Sequence, residues 1–154
     1  MKKRSKLNKI KFIPVSIPYI SSQDIKSVNK VLKNGWISSD GPEVKSFENE
    51  FSKKVNRNYS IAVSNGTAAL EISIKALGIK KNDEVIIPNF TIISNALAVV
   101  KQNAKPVLVD CDLKTWNVKI EDIEKKINKK TKALIVTHIY SYANDMDKIL
   151  KICK

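Results

Sequence analysis

Four short apolar runs, each followed by a stretch long enough for a helix, limit the folds open to this chain. A continuous apolar run is typical of a strand that is covered on both faces. Runs of this kind that alternate with helical segments predict an α/β fold: a mainly parallel sheet with helices on both of its faces. The predicted strands are Ile61–Val63, Glu84–Pro88, Lys105–Val109 and Ala133–Thr137.

Helical periodicity and stop signals place the helices between and before these runs. Apolar residues repeat at helical spacing from Ile25 until Asn34–Gly35, which stops the helix, and again from Glu43 to about Val55. A third helix follows residues 64–67. The remaining predicted helices start at Asn89 or Thr91, at about Ile120 and at Asp145.

The turn Ser64-Asn65-Gly66-Thr67 joins the first predicted strand to a helix carrying Leu70, Ile74 and Leu77 on one face. Gly and Asn allow a tight turn. Thr67 then lies near the start of the helix, where unpaired N–H groups and the positive end of the helix dipole favour an anion such as phosphate. An ordinary strand-to-helix connection with a polar cap fits the same residues, because a single Gly is a weak phosphate signal.

Several polar turns are expected to meet at one edge of the sheet. In parallel sheets, ligands bind beyond the carboxyl ends of the strands. Residues 64–67, 89–91, 110–112 and 138–140 all follow predicted strands. Their convergence favours the phosphate interpretation of the first turn over the purely structural one.

Composition excludes some classes of protein and weakens others. The chain has 43% apolar residues and no apolar run long enough to cross a bilayer, as expected of a globular domain. Its net charge of +13 raises a nucleic-acid partner as a possibility. The lysines are scattered or concentrated in the first eleven residues, so we expect a general Lys-Ile-Asn bias rather than nucleic-acid binding.

The N-terminus and the cysteines carry few functional signals. Residues 1–14 are expected to form a basic flexible tail, and residues 15–154 to form the domain. The basic stretch lacks the apolar region of a signal peptide, so we expect a cytoplasmic protein. Cys111 and Cys153 have no CxxC spacing and are expected to be free thiols. With one histidine, His138, no metal site is expected.

Five sequence blocks occur in order: GWISSDGPEVKSFENEF, AVSNGTAALEISIKALGI, DEVIIPNFTIISNALAV, KPVLVDCDLKTWNV and HIYSYANDMDKI. Together they resemble the large domain of the DegT/DnrJ/EryC1/StrS sugar aminotransferases, enzymes of fold type I that depend on pyridoxal phosphate. The resemblance runs from about Ile17 to Lys154. It implies an aspartate-aminotransferase-like fold, a site formed at a dimer interface, and transfer of an amino group, from glutamate, to a keto group of a nucleotide-linked deoxysugar.

The resemblance also assigns candidate site residues. It implies that the cofactor phosphate lies against Gly66, Thr67 and Ala68. The segment 89–94 matches the turn beside the cofactor ring, where many relatives carry an aromatic residue at the position of Ile92, so Ile92 or Phe90 is expected to cover the ring. The loop 36–41 matches one that reaches the active site, which makes Trp36, Ser38 and Ser39 candidate substrate-binding residues.

Other positions depart from the pattern that the resemblance implies. The histidine of the H-x-Y-G stretch is His138, for which packing near the site is expected rather than proton transfer. Ser141 stands in place of the glycine, and Ala143 or Asn144 in place of a proline, so the path of this loop is expected to differ.

Catalytic residues are the part of the pattern that these 154 residues do not match. In the family, a lysine that bonds to the cofactor and an acid opposite the ring nitrogen come from later strands. No residue here matches either, so we expect an N-terminal half, split, truncated or incompletely recorded, that is inactive alone and pairs with a second copy or a complementing C-terminal half. The alternative is a non-catalytic fragment that binds a phosphate-bearing ligand or a partner.

Overall fold

The computed structural model describes residues 12–154, and the chain divides between Ala62 and Val63 into two compact units. Most of the predicted basic tail, residues 1–11, lies outside the described residues. Each unit is described separately below.

The first unit contains two helices with well-defined ends. Helix α1 spans Ser22–Asn34 and begins with a capping box, in which the Ser21 hydroxyl oxygen accepts the Asp24 N–H at 3.2 Å and the Asp24 carboxylate accepts the Ser21 N–H at 2.7 Å. It ends at Gly35, whose φ of 74° is the left-handed conformation that glycine adopts without strain. This end confirms the predicted stop at Asn34–Gly35.

Helix α2 spans Pro42–Lys54, as predicted to within one residue at each end. Proline at its first position lacks an N–H that would have no partner inside the helix. The rings of Phe47 and Phe51 lie one turn apart, with their centroids at 5.8 Å, and both side chains are about half exposed. The apolar face predicted from the sequence therefore exists but stays largely uncovered within this unit.

The predicted strand Ile61–Val63 is wrong, because these residues form no strand. Ile61 is 75% exposed, and the Ala62 N–H donates to the Glu48 carboxylate at 2.8 Å instead of to a neighbouring strand. No strand among residues 12–154 pairs with this segment. An apolar run forms a strand only where a partner accepts its backbone hydrogen bonds.

The second unit is a three-stranded parallel sheet with helices on both faces, which confirms the predicted α/β class; in the described residues it has three strands rather than four. The strands lie in the order β2-β1-β3, with β1 in the centre. The elements in chain order are α3 (Gly66–Ala76), β1 (Glu84–Pro88), α4 (Ser94–Val100), β2 (Lys105–Val109), α5 (Ile120–Lys126), β3 (Thr131–Leu134), a short 3-10 turn (Ile139–Ser141) and α6 (Met146–Ile152).

The central strand β1 separates two apolar clusters. All five of its residues are buried. Val85 and Ile87 pack with α3 and α4, whereas Ile86 packs with α5 and α6 on the opposite face. Alternate side chains of a strand point to opposite faces, so one continuous apolar run serves both cores.

Strand β3 begins and ends earlier than the predicted Ala133–Thr137. It starts at Thr131, directly after a turn in which the Thr131 hydroxyl accepts the Asn128 N–H at 3.0 Å. The ladder is irregular near its start, where Thr131 lies opposite Glu84 and Ala133 lies opposite Val85. Pairing continues one residue past the strand, because the Ile135 N–H donates to the Ile86 carbonyl at 2.8 Å.

Helix α4 begins later than predicted, and neither Asn89 nor Thr91 caps it. The residue before it is Ile93, which makes no side-chain cap. The Asn89 N–H instead donates to the Val109 carbonyl at 2.7 Å, which extends the pairing of β1 with β2. The last helix, α6, is capped by Asp145 as predicted, with the Lys148 N–H donating to its carboxylate at 3.1 Å.

Candidate functional site

The start of α3 leaves two backbone donors without a partner. Asn65 is the N-cap, and its side-chain oxygen accepts the Ala68 N–H at 2.9 Å. Its carbonyl accepts the Ala69 N–H at 3.1 Å. Within residues 12–154, the N–H groups of Gly66 and Thr67 have no acceptor, so they are the donors that this helix start offers to an anion.

Gly66 is not required by the backbone or by packing within the second unit. Its φ is not in the left-handed region, and a Cβ placed on it would have no atom of the described chain within 4 Å. The bare glycine therefore leaves open space beside the unpaired N–H groups. A tetrahedral anion that approaches the backbone closely fits this arrangement.

A hydroxyl pair connects the starts of α3 and α4. The Thr67 Oγ1 and Ser94 Oγ atoms lie 2.9 Å apart, with Thr67 half-buried and Ser94 buried. Only one hydroxyl hydrogen is used between the two oxygens. The other remains available to an acceptor outside the pair.

A second polar cluster joins the turn after β1 to Thr137, which lies three residues after the end of β3. The Asn95 amide nitrogen donates to the Thr91 hydroxyl at 2.8 Å and to the Thr137 hydroxyl at 3.0 Å, and these two oxygens lie 2.9 Å apart. Asn95 is only 3% exposed. Both of its amide hydrogens are used, and the two threonines share one hydrogen, so the cluster retains one hydroxyl donor.

The turn after β1 exposes apolar side chains at the same edge of the sheet. Phe90 packs against Trp116, with their ring centroids 5.1 Å apart and their planes at 50°. Phe90 is 39% exposed and Ile92 is 63% exposed. Both candidate ring-covering residues are thus accessible to a ligand, and Phe90 is supported from one side.

Trp116 is positioned by a turn after β2. The Asp112 carboxylate accepts the N–H groups of Thr115 at 2.9 Å and Lys114 at 3.0 Å, and these bonds lower the pKa of Asp112. Trp116 itself has a φ of 61°. Asn117, which is buried, bonds to the next loop through the Tyr142 carbonyl. The turn after β2, which carries Trp116, is therefore hydrogen-bonded to the loop that follows β3.

His138 lies in that loop, directly after Thr137 of the buried cluster. Its Nδ1 atom is 3.1 Å from both the backbone nitrogen and the side-chain nitrogen of Asn144. Tyr140 and Ser141 both have a positive φ, 47° and 66°, and the expected difference in the path of this loop stays a prediction. The residues after β1, β2 and β3 thus meet at one edge, as expected, and Thr67 is tied to them through Ser94.

Trp36, Ser38 and Ser39 lie in the first unit, in the loop between α1 and α2. Gly41 is buried there, and a Cβ placed on it would lie 3.6 Å from the Ser38 carbonyl oxygen and 3.7 Å from the Trp36 Cβ atom. Residues of this loop therefore pack closely around Gly41. Trp36 is 51% exposed. Substrate binding by these three residues stays a prediction.

The sequence reasoning missed the polar residues that organise the edge. Ser94 was included only as the end of a segment, and Asn95, Thr137, Trp116 and Asn117 were not identified as site residues. For Asn95 a signal existed, since an amide at the start of an otherwise apolar helix needs partners if it is buried. Nothing in the local sequence indicated that Thr137 would be one of them.

Comparison with known proteins identifies the family. The model of the DegT/DnrJ/EryC1/StrS aminotransferase family matches residues 18–154. This chain belongs to that family. It is 41% identical over 145 residues to GDP-perosamine synthase from Escherichia coli O157:H7, a match that covers 94% of the chain and 40% of the relative.

Two further relatives extend this assignment. The chain is 41% identical over 129 residues to dTDP-3-amino-3,6-dideoxy-alpha-D-galactopyranose transaminase from Aneurinibacillus thermoaerophilus, covering 84% of the chain and 35% of that enzyme. The structure of E. coli GDP-4-keto-6-deoxy-D-mannose-3-dehydratase with bound hydrated PLP has a TM-score of 0.83 at 27% identity, covering 90% of this chain and 37% of that one. The chain spans 35–40% of the length of the relatives named here.

Three further observations bear on chemistry. Every lysine among residues 12–154 is exposed. In the same range, no three His, Cys, Asp or Glu side chains are grouped in a way that could hold a metal ion. Cys111 and Cys153 are free thiols, as predicted, and no helix in the described part of this family member is long and apolar enough to cross a membrane.

Proposed function

We propose that this chain holds the phosphate of pyridoxal phosphate at the start of α3, as part of an enzyme that transfers an amino group to a keto group of a nucleotide-linked deoxysugar. The observation that carries the proposal is the pair of unpartnered N–H groups at Gly66 and Thr67, beside open space that a side chain would occupy. The printed names of the relatives motivate the cofactor and the sugar class. The family resemblance motivates glutamate as the amino donor.

The donor set suits a phosphate in number and in charge. Two backbone N–H groups point from the positive end of α3, and the Thr67–Ser94 pair adds a hydroxyl hydrogen. Together these three donors would bind two or three phosphate oxygens. Ala68 remains a candidate, but its N–H is already used by Asn65, so we propose that Gly66 and Thr67 make the main contacts.

The cofactor ring would lie against the apolar side chains that follow β1. Ile92 offers an exposed aliphatic surface, and Phe90 offers a ring held in place by Trp116. We propose that Ile92 covers the ring and that Phe90 flanks it, in place of the flat aromatic contact found in many relatives. When bound, the cofactor supplies an electron sink for breaking bonds at the carbon beside the amino group.

The group that bonds to the cofactor has no candidate in the described chain. A lysine that reacts at neutral pH needs a lowered pKa, which burial or a neighbouring cation provides. All lysines in residues 12–154 are exposed, so none of them lies in a buried site of that kind. We propose that the reactive lysine and the acid at the ring nitrogen come from polypeptide outside these 154 residues, and that this chain is inactive alone.

Assembly with other polypeptide is consistent with the uncovered apolar faces. Ile25, Val28 and Leu32 of α1 are each more than half exposed, although they form one face. We propose a homodimer or pairing with a complementing chain. Within such an assembly, Trp36, Ser38 and Ser39 would contact the nucleotide sugar.

A lysine-labelling experiment separates this proposal from the alternative in which the chain is complete for chemistry. The purified chain is incubated with pyridoxal phosphate, reduced with borohydride, which fixes any lysine-bound cofactor, and mapped by mass spectrometry. We expect low labelling spread over many exposed lysines. One stoichiometric lysine would contradict the proposal that the reactive lysine lies elsewhere.

A complementation experiment tests amino transfer itself. The chain is mixed with the matching remainder of E. coli GDP-perosamine synthase, and glutamate-dependent amination of a GDP-linked keto sugar is measured. Activity that requires both parts supports the proposal, and activity lost in a Gly66→Val variant assigns the cofactor phosphate to α3. If the assembled parts bind the cofactor but do not aminate any nucleotide-linked keto sugar, the non-catalytic binding fragment is favoured.

A further inference from the structure

The single histidine of the chain is held by one residue six positions later. Two nitrogen atoms of Asn144, one from the backbone and one from the side chain, lie 3.1 Å from His138 Nδ1. His138 itself is exposed, whereas Asn144 is only 7% exposed. The hydrogen-bonding state of the imidazole is therefore set from its Nδ1 side by a buried neighbour.

The backbone contact fixes the direction of the hydrogen bond. A backbone N–H can only donate, so His138 Nδ1 must accept from Asn144. A nitrogen that accepts carries no hydrogen. In a neutral imidazole the hydrogen is then on Nε2.

The side-chain contact strengthens the same assignment. The Asn144 side-chain nitrogen lies 2.8 Å from the Thr137 carbonyl oxygen. A carbonyl oxygen can only accept a hydrogen bond, so the nitrogen of the Asn144 amide, and not its oxygen, must face Thr137. Its second hydrogen is directed to His138 Nδ1 at 3.1 Å. The orientation leaves Asn144 Oδ1 buried without a partner in the described chain, a cost that an apolar residue at this position would avoid.

Among residues 12–154, no carboxylate is hydrogen-bonded to Nδ1. The neighbouring acid, Asp145, is committed to the start of α6, where it accepts from the Lys148 backbone at 3.1 Å and lies 3.1 Å from the Lys148 Nζ atom. A carboxylate hydrogen-bonded to Nδ1 would place a hydrogen there. With Asn144 in that place, Nδ1 faces only donors.

We propose that Asn144 is a positioning residue that holds His138 in the neutral tautomer with its hydrogen on Nε2. His138 then presents a hydrogen-bond donor at Nε2, while its Nδ1 atom accepts from Asn144. This proposal extends the proposed cofactor site but does not depend on it, because it concerns bonds made within the chain.

Because the chain has one histidine, the tautomer is measurable without assignment ambiguity. Imidazole ¹⁵N shifts of the full chain are recorded at about pH 8.5, well above the ordinary histidine pKa of about 6.5. We expect a protonated Nε2, an unprotonated Nδ1, and a scalar coupling from the Asn144 backbone nitrogen to Nδ1 across the hydrogen bond. A hydrogen on Nδ1 would overturn the proposal, whatever the result of any cofactor experiment.

Substitution tests whether Asn144 is the cause. Asn144→Asp replaces the side-chain donor by a carboxylate of the same shape but keeps the backbone N–H that donates to Nδ1, so the hydrogen is expected to stay on Nε2. Asn29→Asp, at an exposed position of α1, changes the charge equally and is expected to leave the shifts unchanged. If a folded Asn144→Asp variant carries its hydrogen on Nδ1, the backbone N–H of residue 144 does not set the tautomer.

The test remains decisive if that variant fails to fold or the protein associates. The wild-type shifts and the coupling from Asn144 suffice on their own, since the absence of both the Nε2 hydrogen and the coupling contradicts the proposal. Magic-angle-spinning spectra of sedimented protein give the same tautomer readout from associated material.

Discussion

Replacing Asn95 by alanine tests the polar cluster that joins the turn after β1 to Thr137, in the segment after β3. The substitution removes two hydrogen bonds, of 2.8 Å and 3.0 Å, from a side chain that is 3% exposed. A net contribution of about 0.5–1.5 kcal/mol for each bond gives an expected loss of about 1–3 kcal/mol in the free energy of unfolding. The value should lie near 2 kcal/mol, because Thr91 and Thr137 stay bonded to each other.

The assay uses the tryptophan that lies at the same edge. In a Trp36→Phe background, Trp116 is the remaining tryptophan, and its fluorescence in urea reports on the second unit. Asn29→Ala, an exposed position on α1, serves as the control and is expected to be neutral or slightly stabilising, since alanine favours helix. A loss below about 0.5 kcal/mol for Asn95→Ala would refute the reasoning, because that is within the usual range for surface substitutions.

A double-mutant cycle with Thr137→Val separates the cluster from simple loss of packing. Residues in one hydrogen-bond network show coupling energies of about 0.5–3 kcal/mol. We therefore expect the double variant to lose less stability than the sum of the two single variants. Losses that add within about 0.3 kcal/mol would show that the two side chains do not interact.

Three further predictions concern the second unit. Ser141→Gly should stabilise the second unit by about 0.5–1 kcal/mol in urea unfolding. Glycine removes a backbone strain of about 1–2 kcal/mol at the left-handed φ of 66°, and the greater entropy of the unfolded glycine chain offsets part of that gain. Ser141→Ala should show no gain. Ile123→Ala, at a fully buried position, should cost about 2–5 kcal/mol, whereas Leu150→Ala, at an exposed position, should cost far less. The pKa of Glu84 is lowered, first because the Asn128 side chain donates a hydrogen bond to its carboxylate. The stabilisation from ionised Glu84 is therefore present above the unfolded pKa of about 4.3 and is lost as the pH falls through the folded pKa. Glu84→Gln should weaken the dependence of the unfolding free energy on pH below about 4.3.

Local signals predicted those parts of the fold that local chemistry decides. Gly35 ends α1 and Asp145 caps α6, because each backbone angle or side chain acts within four residues. The central strand β1 was predicted with its correct limits because burial on both faces leaves a continuous apolar run. These features need no knowledge of distant partners.

Features that depend on distant partners were missed. Ile61–Val63 has the composition of a strand, but no strand in the described chain pairs with it. Thr91 has the composition of a helix cap, yet its hydroxyl bonds to Thr137, forty-six residues away, and to Asn95. Local sequence gives the propensity of such residues, and tertiary contacts decide which hydrogen bonds they make.

The candidate site was predicted to a similar extent. Turn and helix-start chemistry predicts a candidate anion site near Thr67, and the family resemblance adds Gly66; within residues 12–154 the N–H groups of both residues have no acceptor. The Asn65 side chain accepts the Ala68 N–H. This bond could be predicted only if Asn65, rather than Ser64, is taken as the N-cap of α3. The tie between Thr67 and Ser94 depends on how α3 packs against α4 and had no local signal.

The most direct test of the central claim is a titration of the ¹⁵N-labelled chain with pyridoxine phosphate. This probe carries the cofactor's ring and phosphate but no aldehyde, so it cannot react with the exposed lysines. We predict that the Gly66 and Thr67 amide signals shift with pyridoxine phosphate but not with pyridoxine, and that Gly66→Val, whose side chain would enter the open space, folds but loses the response. Equal responses to both ligands, or a response in the variant as large as in the wild type, would contradict a phosphate site at the start of α3.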